Sequence, residues 1–169
     1  MIDLQTVLTY LTLISVPIGV FYHIMTLRNT RKNQQLQLET RQTQLFMNVY
    51  ETWRSPDFRK RSNWVNLLLE YDDLDDFWTK YGPETDPDAF ATWASIAAFY
   101  AGIGVLVQRE MIDIDMVDHL MGWSVITTWE KMSPEIYESR KAGRRKFSSS
   151  LWKDFEYLYN EINKIQSKT

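Results

Sequence analysis

Several residue types and patterns are missing from this chain, and each absence excludes a class of site. None of the 169 residues is a cysteine, so the chain has no disulfide framework, thiolate metal site or cysteine nucleophile. Its two histidines, His23 and His119, stand alone, so neither a histidine-rich zinc site nor any other metal or cofactor is predicted. The net charge of −3 is unlike that of a strongly basic nucleic-acid-binding domain, so we expect no nucleic-acid partner.

Charge is absent from the amino-terminal segment. Residues 4–27 form a run of 24 without a formal charge, against about 20 needed to cross a bilayer. Asp3 precedes the run, and three basic residues follow it: Arg28, Arg31 and Lys32. A cleaved signal peptide would carry its positive charge in front, and a soluble core helix would show a charged stripe. We therefore predict a single-pass transmembrane anchor with the amino terminus outside and the rest of the chain cytoplasmic.

Small and polar residues within this anchor recur on one helical seam. Four of them stand at alternating steps of three and four: Thr12, Ser15, Gly19 and Tyr22. Ser15 and Gly19 make a small-xxx-small pair, which lets two helices approach closely in lipid, so we expect the seam to bind a protein partner or a second copy. The alternative is that Ser and Thr are only tolerated there and that Pro17 introduces a kink.

Helix breakers are also absent behind the anchor, since no Gly or Pro occurs between Gly19 and Pro56. The sequence predicts one continuous helix through a polar stalk over residues 28–44, with a flexible linker as the alternative. A cytoplasmic helical domain is predicted over residues 45–169. Beside the anchor flank, a second basic group could contact lipid headgroups: Arg59, Lys60 and Arg61. Solvated positive faces are the alternative interpretation of these charges.

Helix signals divide the predicted domain into segments. Ser55-Pro56 should open a helix to about Tyr71, a short helix should follow over residues 73–81, and Asp86-Pro87 should open one to about Glu110. Asp115 opens a helix to about Met132, and Ser133-Pro134-Glu135 should begin another that ends at Gly143. A last helix should follow Ser148–Ser150. No alternating strand pattern of useful length occurs, so the fold class is predicted to be all-α.

Residues 89–108 are a second stretch without charge, long enough to span a membrane. Its alanines, glycines and polar residues equally suit the buried centre of a helical bundle, which we favour. The seven tryptophans, Trp123 among them, are expected to be mostly core. Glu135 and Glu138 with Arg140 are expected to be surface pairs. The acidic run over residues 70–76 lacks calcium-loop spacing.

Several blocks of the sequence resemble a known family. They are LFMNVYETWRSPDFR, DDFWTKYG, IAAFYAGIGVLVQREMIDIDMVDHLMG, TTWEKMSPEIYESR and WKDFEYLYNEI. Together they resemble an uncharacterised family of prokaryotic membrane-anchored helical proteins, the domain of unknown function class 4760. The resemblance implies a cytoplasmic helical domain with residues 89–108 buried inside, and it implies no catalytic residue.

The function that these patterns favour is binding rather than catalysis. We expect an accessory, scaffold or regulatory protein of a membrane complex, held by the lipid bilayer and by a partner. The alternative is a membrane-tethered enzyme or a sensor with a pocket between helices. No nucleophile elbow, phosphate loop or paired histidine–carboxylate motif occurs in the sequence.

Overall fold

The computed structural model describes residues 3–142 and 150–167, except for the side chains of residues 6–12, 14, 16 and 142. All regular structure over these ranges is helical and no strand occurs in them, which confirms the all-α prediction. The helices, in chain order, are α1 (Leu4–Arg54), α2 (Pro56–Asn63), α3 (Leu74–Tyr81), α4 (Pro87–Gln108), α5 (Ile114–Ala142) and α6 (Lys153–Gln166). A five-residue π-helical turn, Trp64–Leu68, continues α2.

The chain divides into two compact units, residues 1–43 and residues 44–169. The described part of the first unit is the amino-terminal portion of α1, and the predicted continuous helix is confirmed. Large apolar side chains of this portion are exposed; Leu13 is 62% exposed and Leu27 is 60% exposed. The assignment of residues 1–27 to an anchor, 28–44 to a stalk and 45–169 to a cytoplasmic domain stays a prediction.

Three helices of the second unit begin where local sequence predicts. Ser55 accepts a hydrogen bond from the Phe58 amide at the start of α2. Asp73 accepts one from the Asp76 amide at the start of α3, and Asp86 accepts one from the Ala89 amide at the start of α4. Such caps satisfy backbone N–H groups that have no partner within the helix, each contributing about 1 kcal/mol. They act within four residues, which is why the sequence alone reveals them.

The predicted helix from Pro56 to Tyr71 is shorter than expected. The backbone closes a wide turn in which the Leu69 amide bonds the Trp64 carbonyl at 2.9 Å, and Leu69 is then extended. Val65 and Leu69 stand four residues apart on one side of this turn, and both are fully buried in the core. The same turn leaves Leu67 and Leu68 exposed at 71% and 67%.

The predicted helix break at Ser133-Pro134 is wrong, because α5 continues through it to Ala142. A proline inside a helix costs about 3 kcal/mol, mainly through the lost hydrogen bond to the carbonyl four residues back. That carbonyl belongs to Glu130 and accepts from the Ser133 hydroxyl instead, at 3.5 Å. Met132 and Ile136 on either side are fully buried, so packing keeps the helix continuous. The predicted end at Gly143 lies outside the described residues, as does most of Ser148–Ser150.

The hydrophobic core of the second unit is built around α4. This helix packs against α6 along its length, and α2, α3, α5 and the π turn complete the bundle. Trp93, Ile96 and Tyr100 are almost fully buried on α4, and the Tyr100 ring stacks on Phe155 of α6 with 4.9 Å between the ring centroids. Burial of residues 89–108 within the bundle, which the sequence favoured over a second span, agrees with this packing.

Two glycines of α4 stand in opposite surroundings. A β-carbon at Gly104 would overlap the backbone carbonyl of Asp154, so glycine is required there for α6 to pack closely. A β-carbon at Gly102 would meet no atom within 4 Å. Glycine inside a helix costs about 1 kcal/mol relative to alanine, and at position 102 no contact among the described residues offsets that cost.

The prediction that the seven tryptophans are mostly core is confirmed, with Trp123 as the exception. Trp93 and Trp129 are buried, and Trp53, Trp64, Trp78 and Trp152 pack against the core. Trp123 is 75% exposed. Met121 and Val125, two residues before and after it on α5, are buried. Trp123 therefore lies on the opposite side of that helix.

Candidate functional site

A solvent-open cleft of about 540 Å³ lies between the start of α3, with the loop before it, and the carboxyl-terminal third of α5. The lining residues are Tyr71, Asp72, Asp73, Leu74, Asp75, Pro134, Glu135 and Glu138. Five of these eight are acidic and none is basic. The sequence placed the acidic run and the Ser-Pro-Glu segment apart, and only the fold brings them together.

The loop wall of the cleft is held by reciprocal hydrogen bonds. The Asp76 amide donates to Asp73 at 2.8 Å, and the Asp72 amide donates to the Asp76 carboxylate at 3.0 Å. Lys80 bonds the same carboxylate at 2.7 Å, which holds the pKa of Asp76 below its usual value. Asp73 and Asp76 are therefore structural parts of the α3 amino terminus.

The α5 wall contains a buried carboxylate. Glu135 is 3% exposed, and its Oε1 accepts a hydrogen bond from the Ser139 hydroxyl at 2.6 Å. Glu138, one turn on, pairs with Lys141 at 2.7 Å. The predicted surface pairing of Glu135 and Glu138 with Arg140 is therefore wrong. Burial of Glu135 follows from the helix continuing through Pro134, which the sequence did not signal.

Tyr71 joins the two walls. Its hydroxyl donates to the backbone carbonyl of Lys131 at 3.3 Å, across 60 residues of sequence. Burial, together with the negative charge of Glu135, raises the pKa of Tyr71 to about 12. The hydroxyl therefore stays protonated at neutral pH and acts as a hydrogen-bond donor.

The chemistry of the cleft favours cationic groups. Carboxylates at its rim attract positive charge, and the Tyr71 ring with Leu74 and Pro134 supplies apolar surface for an aliphatic stem. Over the described residues, no group of three or more histidine, aspartate or glutamate side chains is placed to hold a metal ion. The class of ligand that fits best is an organic cation or a basic side chain.

The predicted headgroup contacts differ in their surroundings. Arg28, Arg31 and Lys32 are exposed on α1. On α2 the Arg59 guanidinium lies over the Trp53 ring at 5.0 Å, and Arg61 bonds Asp57 at 3.1 Å and Ser95 at 3.0 Å. Lys60 is exposed. Arg59 and Arg61 thus have roles within the bundle that the sequence did not indicate.

The predicted seam is described only in part. Tyr22 is 68% exposed, Ser15 is exposed, and a β-carbon at Gly19 would meet nothing within 4 Å. The side chain of Thr12 lies outside the described residues. The structure of a single chain does not test whether the seam meets another helix, so the seam stays a prediction.

Arg140 was predicted to lie in a surface pair, and it connects two helices instead. Its guanidinium bonds the Leu151 carbonyl at 2.9 and 2.6 Å and pairs with Glu156 at 2.6 Å. Burial alone would raise the pKa of Glu156, but hydrogen bonds from Arg140 and Tyr137 outweigh it and lower that pKa. Arg140 therefore fixes the end of α5 against the start of α6.

Among the described residues, α4 is the one helix long and apolar enough to cross a membrane by length and composition, with a mean hydropathy of 1.7. Only 39% of its most apolar stretch is buried. By itself this is weak support for a membrane protein, since core helices of soluble bundles have the same composition.

The chain belongs to a family described as a domain of unknown function, DUF4760, whose sequence profile matches residues 6–162. The match confirms the family that the sequence blocks indicated, assigns no activity, and leaves the prokaryotic origin and the membrane anchor as predictions. No curated protein and no solved structure matches the chain.

Proposed function

We propose that this chain is a membrane-anchored helical accessory protein that acts by binding a partner, with its amino terminus outside and its bundle in the cytoplasm. The observation that carries the proposal is the surface of α1 over residues 13–27. Large apolar side chains lie exposed around this helix outside the predicted seam, among them Ile18, Val20, Phe21, Ile24 and Leu27. Full burial of such a side chain stabilises a protein by about 1.5–3 kcal/mol, and none of these would have that contribution in water.

A bilayer accounts for this surface better than a soluble partner does. A partner protein covers one side of a helix, whereas lipid surrounds it, and here no side carries a charge over residues 4–27. The exposed Arg28, Arg31 and Lys32 immediately follow, which supports a cytoplasmic location for the carboxyl-terminal side.

Fractionation and topology reporters test the proposal. The full chain should remain in membranes after an alkaline carbonate wash, and a variant lacking residues 1–27 should move to the soluble fraction with its helical circular dichroism retained. Reporters fused at residue 3 and at the carboxyl terminus should lie on opposite sides. Both ends on one side, or a full chain released by the wash, would contradict it.

A second candidate function is a membrane-tethered enzyme or sensor that takes a small cationic ligand in the cleft. The buried Glu135 beside the Tyr71 hydroxyl favours it, because binding a cation there would place it against a desolvated carboxylate. Spermidine and arginine should then raise the unfolding temperature of the wild type more than that of Glu135→Gln. Equal shifts in the two proteins would exclude a cation site at Glu135 and leave the accessory protein proposed above as the remaining function.

A further inference from the structure

One face of α4 is left uncovered by the described residues of the bundle, although α4 is its most apolar helix. Ala91, Ala98 and Gly102 are exposed on this face, and half-buried residues border it: Ala94, Ala101 and Val105. These positions recur at helical spacing, so they share one side of α4. We call this set the open face of α4.

The open face contains a glycine that the bundle does not need. Gly102 is exposed and has open space where a side chain would lie, whereas Gly104 is required by its contact with α6. Small residues on a helix surface allow the backbone of another helix to approach to about 8 Å, the short end of the usual range. Gly102 is therefore explained if a second helix lies across the open face.

Charges bracket the open face with opposite signs at its two ends. No charged residue occurs between Asp88 in the first turn of α4 and Arg109 at its carboxyl-terminal cap, and both are exposed. In an antiparallel pair of α4 helices, residues 88 and 109 face each other when the two-fold axis passes between Ala98 and Phe99. The exposed Ala98 lies next to that axis. The apolar centre of the open face and its charged ends therefore match those of a second copy.

We propose that the open face of α4 is an interface between two copies of this chain, paired antiparallel about Ala98, with Asp88 of each copy beside Arg109 of the other. The competing occupant is the bilayer, because the length of α4 would permit a second span. Crossing a membrane would remove Trp93, Ile96 and Tyr100 from their contacts in the core. A second copy covers the open face and leaves that core intact.

Cysteine crosslinking of the full chain in whole-cell lysate, with membranes and soluble fraction together, tests the pairing, and the chain has no cysteine of its own to interfere. A disulfide needs α-carbons within about 7 Å. Ala98→Cys lies at the axis and should form a dimer under mild oxidation. In the antiparallel pair, the two copies of Ala91→Cys are about 22 Å apart along the helix and should stay monomeric.

Charge reversal gives the matched control for specificity. In the Ala98→Cys background, Asp88→Lys or Arg109→Glu alone places like charges together and should lower association roughly tenfold, since each dimer contains two such pairs. The double reversal restores opposite charges and should restore crosslinking. A structural effect of either substitution would not be repaired by the other.

Gly102→Leu tests close approach without disturbing the bundle, because no atom lies within 4 Å of its β-carbon. Crosslinking at position 98 should be lost while the unfolding temperature does not fall. The proposal is overturned if Ala98→Cys stays monomeric or if Ala91→Cys crosslinks equally, as a parallel pair would. A bilayer covering the open face in place of a second copy would give the monomeric result. None of these outcomes depends on whether residues 4–27 form the anchor.

Discussion

Residues 1–43 and residues 44–169 place the same kinds of side chain in opposite surroundings. In the first unit Ile18 is 62% exposed and Phe21 is 66% exposed, whereas Ile96 and Phe77 in the second are fully buried. Both units are helical and both are rich in apolar residues, so composition does not distinguish them. The difference is the presence of neighbouring helices among the described residues of the second unit, and the proposed bilayer contact of the first unit rests on this difference.

The strongest test of this comparison is the same truncation in each unit. Phe77→Ala should lower the free energy of unfolding by about 3–5 kcal/mol, because it removes a buried ring packed against Trp93 at 5.4 Å. Phe21→Ala should change it by less than about 0.5 kcal/mol. Urea denaturation of detergent-solubilised protein, followed by circular dichroism, measures both. Similar losses for the two variants would mean that Phe21 is covered within the chain.

The next test concerns the contact between α5 and α6. Arg140→Ala should destabilise the bundle by about 2–3 kcal/mol at pH 7, because Glu156 and the Leu151 carbonyl lose their partner. Lys141→Ala, which breaks the exposed pair with Glu138, should cost under about 0.5 kcal/mol.

The cost of Arg140→Ala should also depend on pH. The folded pKa of Glu156 lies below the ordinary 4.5, so the pair contributes fully above that value and is lost as the pH falls through the folded pKa. Denaturation at a series of acidic pH values should therefore show the wild type and the variant converging. A difference that stays constant to the lowest pH would assign the effect of Arg140 to its bonds with the Leu151 carbonyl alone.

A smaller effect is expected where α4 ends. Glu110 has a φ of 54°, a left-handed conformation that suits glycine. The amide of the next residue, Met111, donates a hydrogen bond to the Leu106 carbonyl and closes the helix end. Glu110→Gly should stabilise the bundle by about 0.5–1 kcal/mol. Lys60→Gly, at an exposed helical position, should destabilise it by about the same amount. If both variants shift the unfolding temperature in the same direction, this explanation is wrong.

The smallest effect on stability is expected in the first unit, where the change concerns association. Gly19→Ile adds a branched side chain to the predicted seam and keeps the segment apolar, so insertion and unfolding should be unchanged while pairing of α1 with another helix is lost. Val20→Ile, one residue round the helix, is the control. Crosslinking in native membranes that is equal in both variants would show that the seam makes no helix contact.

Sequence reasoning succeeded where the determining interactions are short. The starts of α2, α3 and α4 were predictable because Ser55, Asp73 and Asp86 each cap an amide three residues on. The continuous α1 was predictable because no glycine or proline interrupts residues 20–55. Such interactions need no information about the rest of the chain.

The candidate site was not predictable in the same way. Tyr71 reaches the Lys131 carbonyl across 60 residues, so the acidic run and the Pro134 region become one cleft only in the folded bundle. The sequence pairs Glu135 with a surface charge because nothing local signals its burial. Its environment depends on α5 continuing through Pro134.

By itself the sequence determined the helical class, the uncharged amino-terminal run and the capped helix starts, because propensity, charge and capping act between residues close along the chain. Only the tertiary structure decided that α5 passes through Pro134, that Glu135 is buried, that Arg140 binds Glu156, and that Trp123 and Gly102 face outward. These outcomes depend on which helices become neighbours. Packing between distant segments supplies enough free energy to override a local preference such as the proline break.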